Sequence, residues 1–533
     1  MITVPKLPGR IRARRAALEA QRQGKAAELF NPAGAGVRTE TGTHIPANYA
    51  RLLMLGIALL LAYYDVFNPN QKSPLALVLA SLVFAVSCLP MILFLSRGKT
   101  SQVPVFECHG LFYALTFGFA GFLPIPQIMG SISVNEAELV RALAVTLMGM
   151  LALLAAYYLA SPLLLKGFKP LRPSQGLSYA KLETLGWLSC AGGVIIDWVG
   201  RQLTIATLGQ FSLNFYILGF FLLLVMTLEK RANLFTRVAV LTVLLPMQLL
   251  YFSGLSNGQL LGVVTLIGWI SLVIFRVRGR IPIFLLTGAF VFFLIFQPVK
   301  FYVRSLAWGE GVQLGPLETL QVYADGFRQT YGSASAMMAS RKENFDNSFD
   351  RINHLATTAA IIQDTPSAQP YLRGTTYMPL LTKWIPRAIW KEKPDERLGN
   401  QWASRYGYLG QNDSTTSFNL PWLPEMYMNF GLAGVIGIMF LLGLMFRMLW
   451  VWLMGASEGP AEYAMAIVYA QSLVFAESNF SLMTGGIIIF AIILWFTVAM
   501  LQVFGVYNAP IIRNKRPRSR TEILDAPINE NPA

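Results

Sequence analysis

Side chains able to do chemistry crowd into one polar interval, from about Phe301 to Pro421, of an otherwise apolar chain. Arg351 and His354 are three residues apart, the spacing of neighbours on a helix surface. Arg373 follows in the run Tyr371-Leu372-Arg373-Gly374. Arg387 sits between Pro386 and Trp390, with Lys391 and Lys393 just beyond. Arg328 lies upstream, and Glu425 stands beside Pro424 where the next apolar stretch begins. Arginine offers a permanent charge on a planar, two-pronged donor, and lysine a point charge. Such cations, interleaved with tryptophan and tyrosine beside a membrane surface, suit an anionic lipid-linked ligand. Several have a plainer reading: His354 as a packing histidine, Lys391 and Lys393 as a solvated basic edge, Glu425 as an acid complementing the dipole of the helix it begins.

What is missing narrows the chemistry. The chain has three histidines (His44, His109, His354) and three cysteines (Cys88, Cys108, Cys190), with no HExxH run, no metal-ligand spacing and no cysteine pair. It also lacks a phosphate-cradling glycine loop, so it is not expected to draw on ATP. The first outward loop holds Asp65 alone and lacks the paired acids of a metal-dependent, lipid-linked sugar transferase. Guanidinium groups in place of Mg²⁺ are then the consistent stabilisers of a diphosphate leaving group, with no metal and no cofactor expected. Asp197 and Arg201, four apart near the end of an apolar stretch, are functional candidates by position. An ion pair closing a helix end is their other reading. Glu107, His109, Glu477 and Asn479 read as structural.

The elements that must position these groups follow from composition. With 54% hydrophobic and 13% charged residues, the chain is not a soluble globular protein. About twelve stretches approach the ~20 apolar residues of a membrane-spanning helix. They fall near 51–67, 74–95, 103–123, 139–161, 183–200, 211–228, 234–253, 258–276, 281–299, 422–450, 461–478 and 482–505. The expected fold is an all-α polytopic membrane protein in five parts. A basic cytoplasmic tail (1–50) precedes transmembrane helices 1–9 (51–300). An extracytoplasmic helical loop domain (301–421), transmembrane helices 10–12 (422–505) and a second basic tail (506–533) follow. Within the first tail, Ile11–Phe30 reads either as a helix lying on anionic lipid or as a disordered basic segment.

Lys and Arg set the orientation. Arg97/Lys99, Lys166/Lys169/Arg172, Lys230/Arg231/Arg237 and Arg276/Arg278/Arg280 share one side with both termini, which the positive-inside rule makes cytoplasmic. The net charge of +15 is thus a topology signal, and no nucleic acid partner is expected. Inside the loop domain, Phe345, Phe349, Ile352, Leu355, Ala356, Ala359 and Ile362 form a stripe at helical spacing, which predicts a helix over Asn344–Thr365. Asp350, Arg351 and His354 lie off the stripe, and Pro366 stops the helix. Gly431, Gly434 and Gly437 suggest close helix packing in the tenth span.

Four runs together resemble the bacterial oligosaccharide repeat-unit polymerases of the Wzy (O-antigen polymerase) type. They are Phe349-Asp350-Arg351-Ile352-Asn353-His354, the interval Pro366…Pro370…Gly374-Thr375-Thr376-Tyr377, Ile385-Pro386-Arg387…Trp390…Lys393-Pro394, and Glu425-Met426-Tyr427-Met428-Asn429-Phe430-Gly431. The resemblance covers about ninety residues of the chain. It implies a multi-spanning glycosyltransferase of the GT-C kind in the bacterial inner membrane, with its large loop periplasmic. Such an enzyme transfers a growing glycan from undecaprenyl diphosphate to a lipid-linked repeat unit. Its partners would be the lipid-linked oligosaccharide, the bilayer, and a chain-length regulator and flippase of the same pathway. In that setting Arg351, Arg387, Lys393, Arg373, Arg328 and Arg201 become candidate ligands for diphosphate or sugar. His354, Glu425 and Arg351 become the candidate catalytic groups. A ligase using the same donor and another acceptor is the nearest alternative, and a polysaccharide or lipid transporter a more distant one.

Overall fold

The computed structural model describes residues 43–124, 127–128, 132–168, 174, 177–202, 206–253, 261–304, 316–333, 353–382, 390, 392, 398–410, 412–413, 416–453 and 459–503. Helices start where polar turn residues end an apolar run. The Ser73 hydroxyl caps α2 (Pro74–Arg97) by accepting from Ala76 N, with Pro74 at the first helical position. The Asn135 side chain does the same for α4 (Glu136–Ala155, carried on through a π turn to Leu164). Before α2 lies α1 (Asn48–Phe67). Between α2 and α4 comes α3 (Val105–Tyr113, carried on by tighter and looser turns to Phe122). Then follow α5 (Tyr179–Gln202), α6 (Ala206–Leu228), α7 (Leu234–Ala239, carried on to Ser253), α8 (Leu261–Arg278) and α9 (Ile283–Arg304). The departure from helix among the described residues is small: a hairpin of Gln127–Ile128 against Ile132–Ser133, and one bridge between His44 and Lys99.

Eight helices among the described residues are long and apolar enough to cross a membrane: α1 to α5, α7, and two near the C-terminus, α14 (Trp422–Leu453) and α16 (Phe480–Val503). The chain is therefore a helical membrane protein. Segments Ser212–Leu228 and Ile283–Phe296 are apolar but shorter.

Hydrogen bonds gather the basic turns at one end of the bundle. Arg276, in the last turn of α8, reaches Glu229 at 2.6 Å and the Ser101 carbonyl at 3.0 Å, and lies over the Tyr463 ring. Arg237 donates to the Lys230 carbonyl, Ile281 N to Tyr49 Oη, and Ile45 N to the Gly98 carbonyl. These contacts unite the loops that carry Arg97/Lys99, Lys230/Arg231/Arg237 and Arg276/Arg278/Arg280, as their charges suggest.

The polar interval departs from expectation. It contributes α10 (Pro316–Tyr331), which packs on α9, then α11 (His354–Asp364), α12 (Met378–Thr382) and α13 (Gly399–Arg405). Leu355, Ala359, Ile361, Trp402 and Tyr406 belong to the same apolar core as the membrane helices, so this stretch of the interval is built into the bundle. The helix predicted over Asn344–Thr365 ends on schedule, one residue before Thr365. Its first residue, however, is His354, because the Asn353 side chain caps it by accepting from Ala356 N at 3.0 Å. Arg351, the expected neighbour of His354, lies outside the described residues. Helix α11 does not keep a polar face: Ala356, Thr358, Ala359 and Ala360 are all buried, small enough for α3, α4 and α14 to close around them.

The second departure is in α14. Gly431, at φ 64° and ψ −153°, breaks it into 422–430 and 432–453. In a straight helix Trp422 and Phe446 would stand roughly 36 Å apart. Instead the His109 ring contacts both, at 5.6 and 4.8 Å between centroids. A Cβ placed on Gly149 would likewise meet Leu423, Val435 and Met439 together. The two parts therefore lie side by side, with Gly431 as the turn. The expected tenth span over 422–450 is only its second part, and the first is a short buried helix that folds back against it.

The partner of that short helix is α15 (Pro460–Leu473), a helix of 14 residues. At ~21 Å it is too short for a hydrocarbon layer of ~30 Å. The chain runs on without helix through Val474–Asn479 before α16 begins. Glu462, fully buried at the start of α15, accepts from both the backbone and the hydroxyl of Ser174.

Candidate functional site

The broken helices meet in a buried polar seam. Irregular backbone buried in a helix bundle must find hydrogen bonds within the protein, and here the partners can be named. The short helix 422–430 lies beside the unwound Val474–Asn479, and Trp422 N donates to the Ala476 carbonyl. His109 Nδ1 bonds the carbonyl of Leu473, the last residue of α15, at 2.8 Å. Glu425 Oε2 accepts from the N–H of Phe480, the first residue of α16, at 2.7 Å. One side chain thus closes each helix end, a carboxylate serving the N-terminus as the helix dipole favours. Glu425 is fully buried, and its Oε1 has no protein partner.

One helical turn on, Asn429 organises the opposite edge. Its Nδ2 donates to Thr376 Oγ1 and to the Glu425 carbonyl, each at 2.8 Å, and its Oδ1 accepts from Gly374 N at 2.8 Å. Because the short helix stops at Gly431, its last carbonyls lack intrahelical donors. Leu372 N and Arg373 N supply them, donating to the Met428 and Asn429 carbonyls. The turn that makes this possible has Arg373 at φ 51° and Gly374 at φ 91°. A side chain at Gly374 would also press on Phe430. Ser481 Oγ donates to the Thr376 carbonyl at 2.8 Å and ties the same turn to α16.

Beside the seam lies a cavity of about 350 Å³, with Thr375, Thr376, Gln401, Trp402, Arg405 and Met428 in its wall. Thr376 belongs to both features: it faces the cavity and bonds Asn429. A hydroxyl held this way can relay a hydrogen bond between a ligand and the buried amide.

The sequence-predicted residues divide. Glu425 and Arg373 are in the seam, Glu425 buried and Arg373 with an exposed side chain. Glu425 caps α16 rather than the helix that carries it. His354 is buried against Phe112 and Phe117, away from the cavity wall, with Nδ1 unpartnered. Burial pushes its pKa down to about 3. Arg201 pairs with Asp197 at 2.8 Å, the ion pair offered as the alternative reading. Arg328 lies 3.6 Å from Asp325 on α10, its side chain 83% exposed. Arg351, Arg387 and Lys393 lie outside the described residues. Sequence reasoning missed Asn429, Thr376, Gln401, Trp402 and Arg405. Asn429 carries a usable signal, an amide four residues after an acid within an apolar stretch.

Fold and seam together define a polytopic helical membrane protein built around two interrupted helices. The family described as a domain of unknown function (DUF8712) matches residues 111–509, and the chain belongs to it. No curated protein and no solved structure matches the chain.

Proposed function

We propose that the protein is a metal-independent glycan polymerase of the Wzy type, acting at the outer face of a bacterial inner membrane. The observation that supports this best is the cavity wall of Thr375, Thr376, Gln401, Trp402 and Arg405 set against a buried carboxylate and amide. It offers a sugar an aromatic side chain, hydroxyls, an amide and a cation. In this reading α6, α8 and α9, together with α15 extended by the non-helical Val474–Asn479, complete twelve passes of a GT-C-like architecture, with the basic end cytoplasmic. The acceptor sugar's hydroxyl attacks the donor's anomeric carbon and the bond to the diphosphate breaks. Undecaprenyl diphosphate leaves, and the hydroxyl proton passes to a base. Arg351, Arg387, Lys393 and Arg373 would hold the departing diphosphate. Of the two candidate bases, Glu425 is favoured over His354, since Thr376 links its seam to the cavity.

Transport is a second reading, favoured by one observation. Interrupted helices whose ends converge on buried polar groups are a mark of transporters, and α14 and the α15–α16 pair are interrupted in this way. Purified protein supplied with lipid-diphosphate repeat units alone separates the readings. A ladder of lengthening glycans that survives EDTA supports the metal-independent polymerase. Product formed only with a second acceptor points to a ligase, and movement of intact units across vesicles without new glycosidic bonds points to transport.

A further inference from the structure

We infer that the cavity beside the seam takes a carboxylate-bearing sugar, so that the glycan handled by this protein contains an acidic residue. The inference rests on the glycan reading for the word sugar and on Arg405 for the charge. A guanidinium has five N–H donors in a rigid plane. Among the described residues, the hydrogen bond made by that of Arg405 is a single one, from Nη2 to the Pro370 carbonyl at 3.2 Å. Its Nε is buried without a partner, and it forms no ion pair with any described residue. Asp364 shares the neighbourhood of Tyr406 with Arg405 but does not pair with it. No acid is present among the described residues of the cavity wall. A cation with most of its donors unused and no counter-charge among the described residues is matched by a planar anion that accepts two parallel bonds.

The rest of the wall fits a pyranose. Trp402 is 4% exposed and fixed by its Nε1–H bond to the Phe418 carbonyl at 3.1 Å. It presents apolar surface together with Leu372, Pro379 and Met428, while Gln401, Thr375 and Thr376 offer donors and acceptors for hydroxyls. The volume lies at the small end of ligand sites, roughly 300–1,000 Å³. An anion here could also be the carrier lipid's diphosphate. Among the described residues of the wall one guanidinium is the sole cation, which matches the single charge of a carboxylate better than the multiple charge of a diphosphate.

Saturation-transfer NMR on the full-length protein in detergent tests this, with methyl glucuronide and methyl glucoside as observed probes and inorganic pyrophosphate as a competitor read by loss of the glucuronide signal. Glucuronide should bind, and glucoside should bind roughly tenfold more weakly, the scale of one charge-assisted contact. Arg405→Gln should remove that preference and Arg405→Lys should restore part of it. Gln401→Ala, which keeps the guanidinium, should weaken both glycosides while preserving the preference, and it carries the test if Arg405→Gln does not fold. Equal binding of the two glycosides, no glucuronide binding, or Arg405-dependent pyrophosphate binding that displaces glucuronide would each overturn the inference. No carrier lipid or turnover is involved. Failure to polymerise would therefore strike the proposed function and leave this result standing.

Discussion

The carboxylate of Glu425 accepts the N–H of Phe480, so an acid on one broken helix caps the helix that ends the bundle. This bond separates two roles for Glu425. Glu425→Gln keeps an oxygen for Phe480 N, whereas Glu425→Ala leaves that donor buried and unpaired, at ~1–3 kcal/mol. Thermal unfolding in detergent should therefore show Gln near wild type and Ala clearly less stable. Glycan synthesis by a stable Gln variant then reports on catalysis alone: full activity would remove Glu425 as the base.

Gly431 should tolerate no side chain. Its φ of 64° with ψ −153° is a region essentially reserved for glycine and costs an L-residue ~1–3 kcal/mol, and an added Cβ would lie 2.7 Å from Tyr371 Oη. Gly431→Ala is expected to lower stability, and adding Tyr371→Phe should recover the steric part only. A neutral Gly431→Ala would mean that the reversal is not fixed at this residue.

His354 gives the protein a pH-dependent stability. Its folded pKa, about 3, lies below the ordinary value of 6.5 because burial disfavours the charged ring. The unfolded chain thus binds the proton first as pH falls. Stability from this group is complete above about pH 6.5 and is lost towards pH 3, at ~1.4 kcal/mol per unit. Unfolding of wild type and His354→Leu at pH 7 and pH 5 should differ by that slope. Parallel losses would show that His354 does not contribute.

Arg351 and Arg387 are tested by Lys, which keeps charge and loses the planar fork. If either grips the diphosphate as charge develops, turnover should fall ~10²–10³-fold at matched protein levels. A surface ion pair would be worth no more than ~1 kcal/mol. Wild-type polymer lengths in both Lys and Ala variants would exclude these arginines from the mechanism.

Orientation can be checked with cysteines added at Lys99, Arg278 and Gln401. A membrane-impermeant reagent applied to intact cells should label only the last. Labelling of the first two instead would place the cavity in the cytoplasm, away from a translocated glycan.

Helical class and the positions of most apolar segments were legible because ~20 apolar residues bounded by Ser, Asn, Pro or Arg leave few alternatives. The clustering of Arg97, Lys230 and Arg276 loops was legible from charge alone. The seam was not. Hydropathy runs unbroken across Phe430-Gly431-Leu432, so nothing in an apolar pattern distinguishes one long span from two helices folded together. The burial of His354 was hidden similarly, since Ala and Thr around it suit a solvent-facing turn and a tight helix contact equally. Arg405 lies outside the runs that carry the family resemblance, and only the fold brings it to Thr376.

The shortness of α15 bears on how the protein is made. A segment of 14 residues that includes Glu462 and Gln471 lacks the length and apolarity to leave the translocation channel for lipid alone. Its carboxylate is accommodated by Ser174, and its last carbonyl by His109, both synthesised much earlier. Entry of α15 must therefore wait for α16 and proceed as a hairpin onto a bundle that is already standing. Biogenesis then has a late, all-or-none step, and a ribosome stalled near Asn479 would leave a chain whose penultimate helix has not yet entered the membrane.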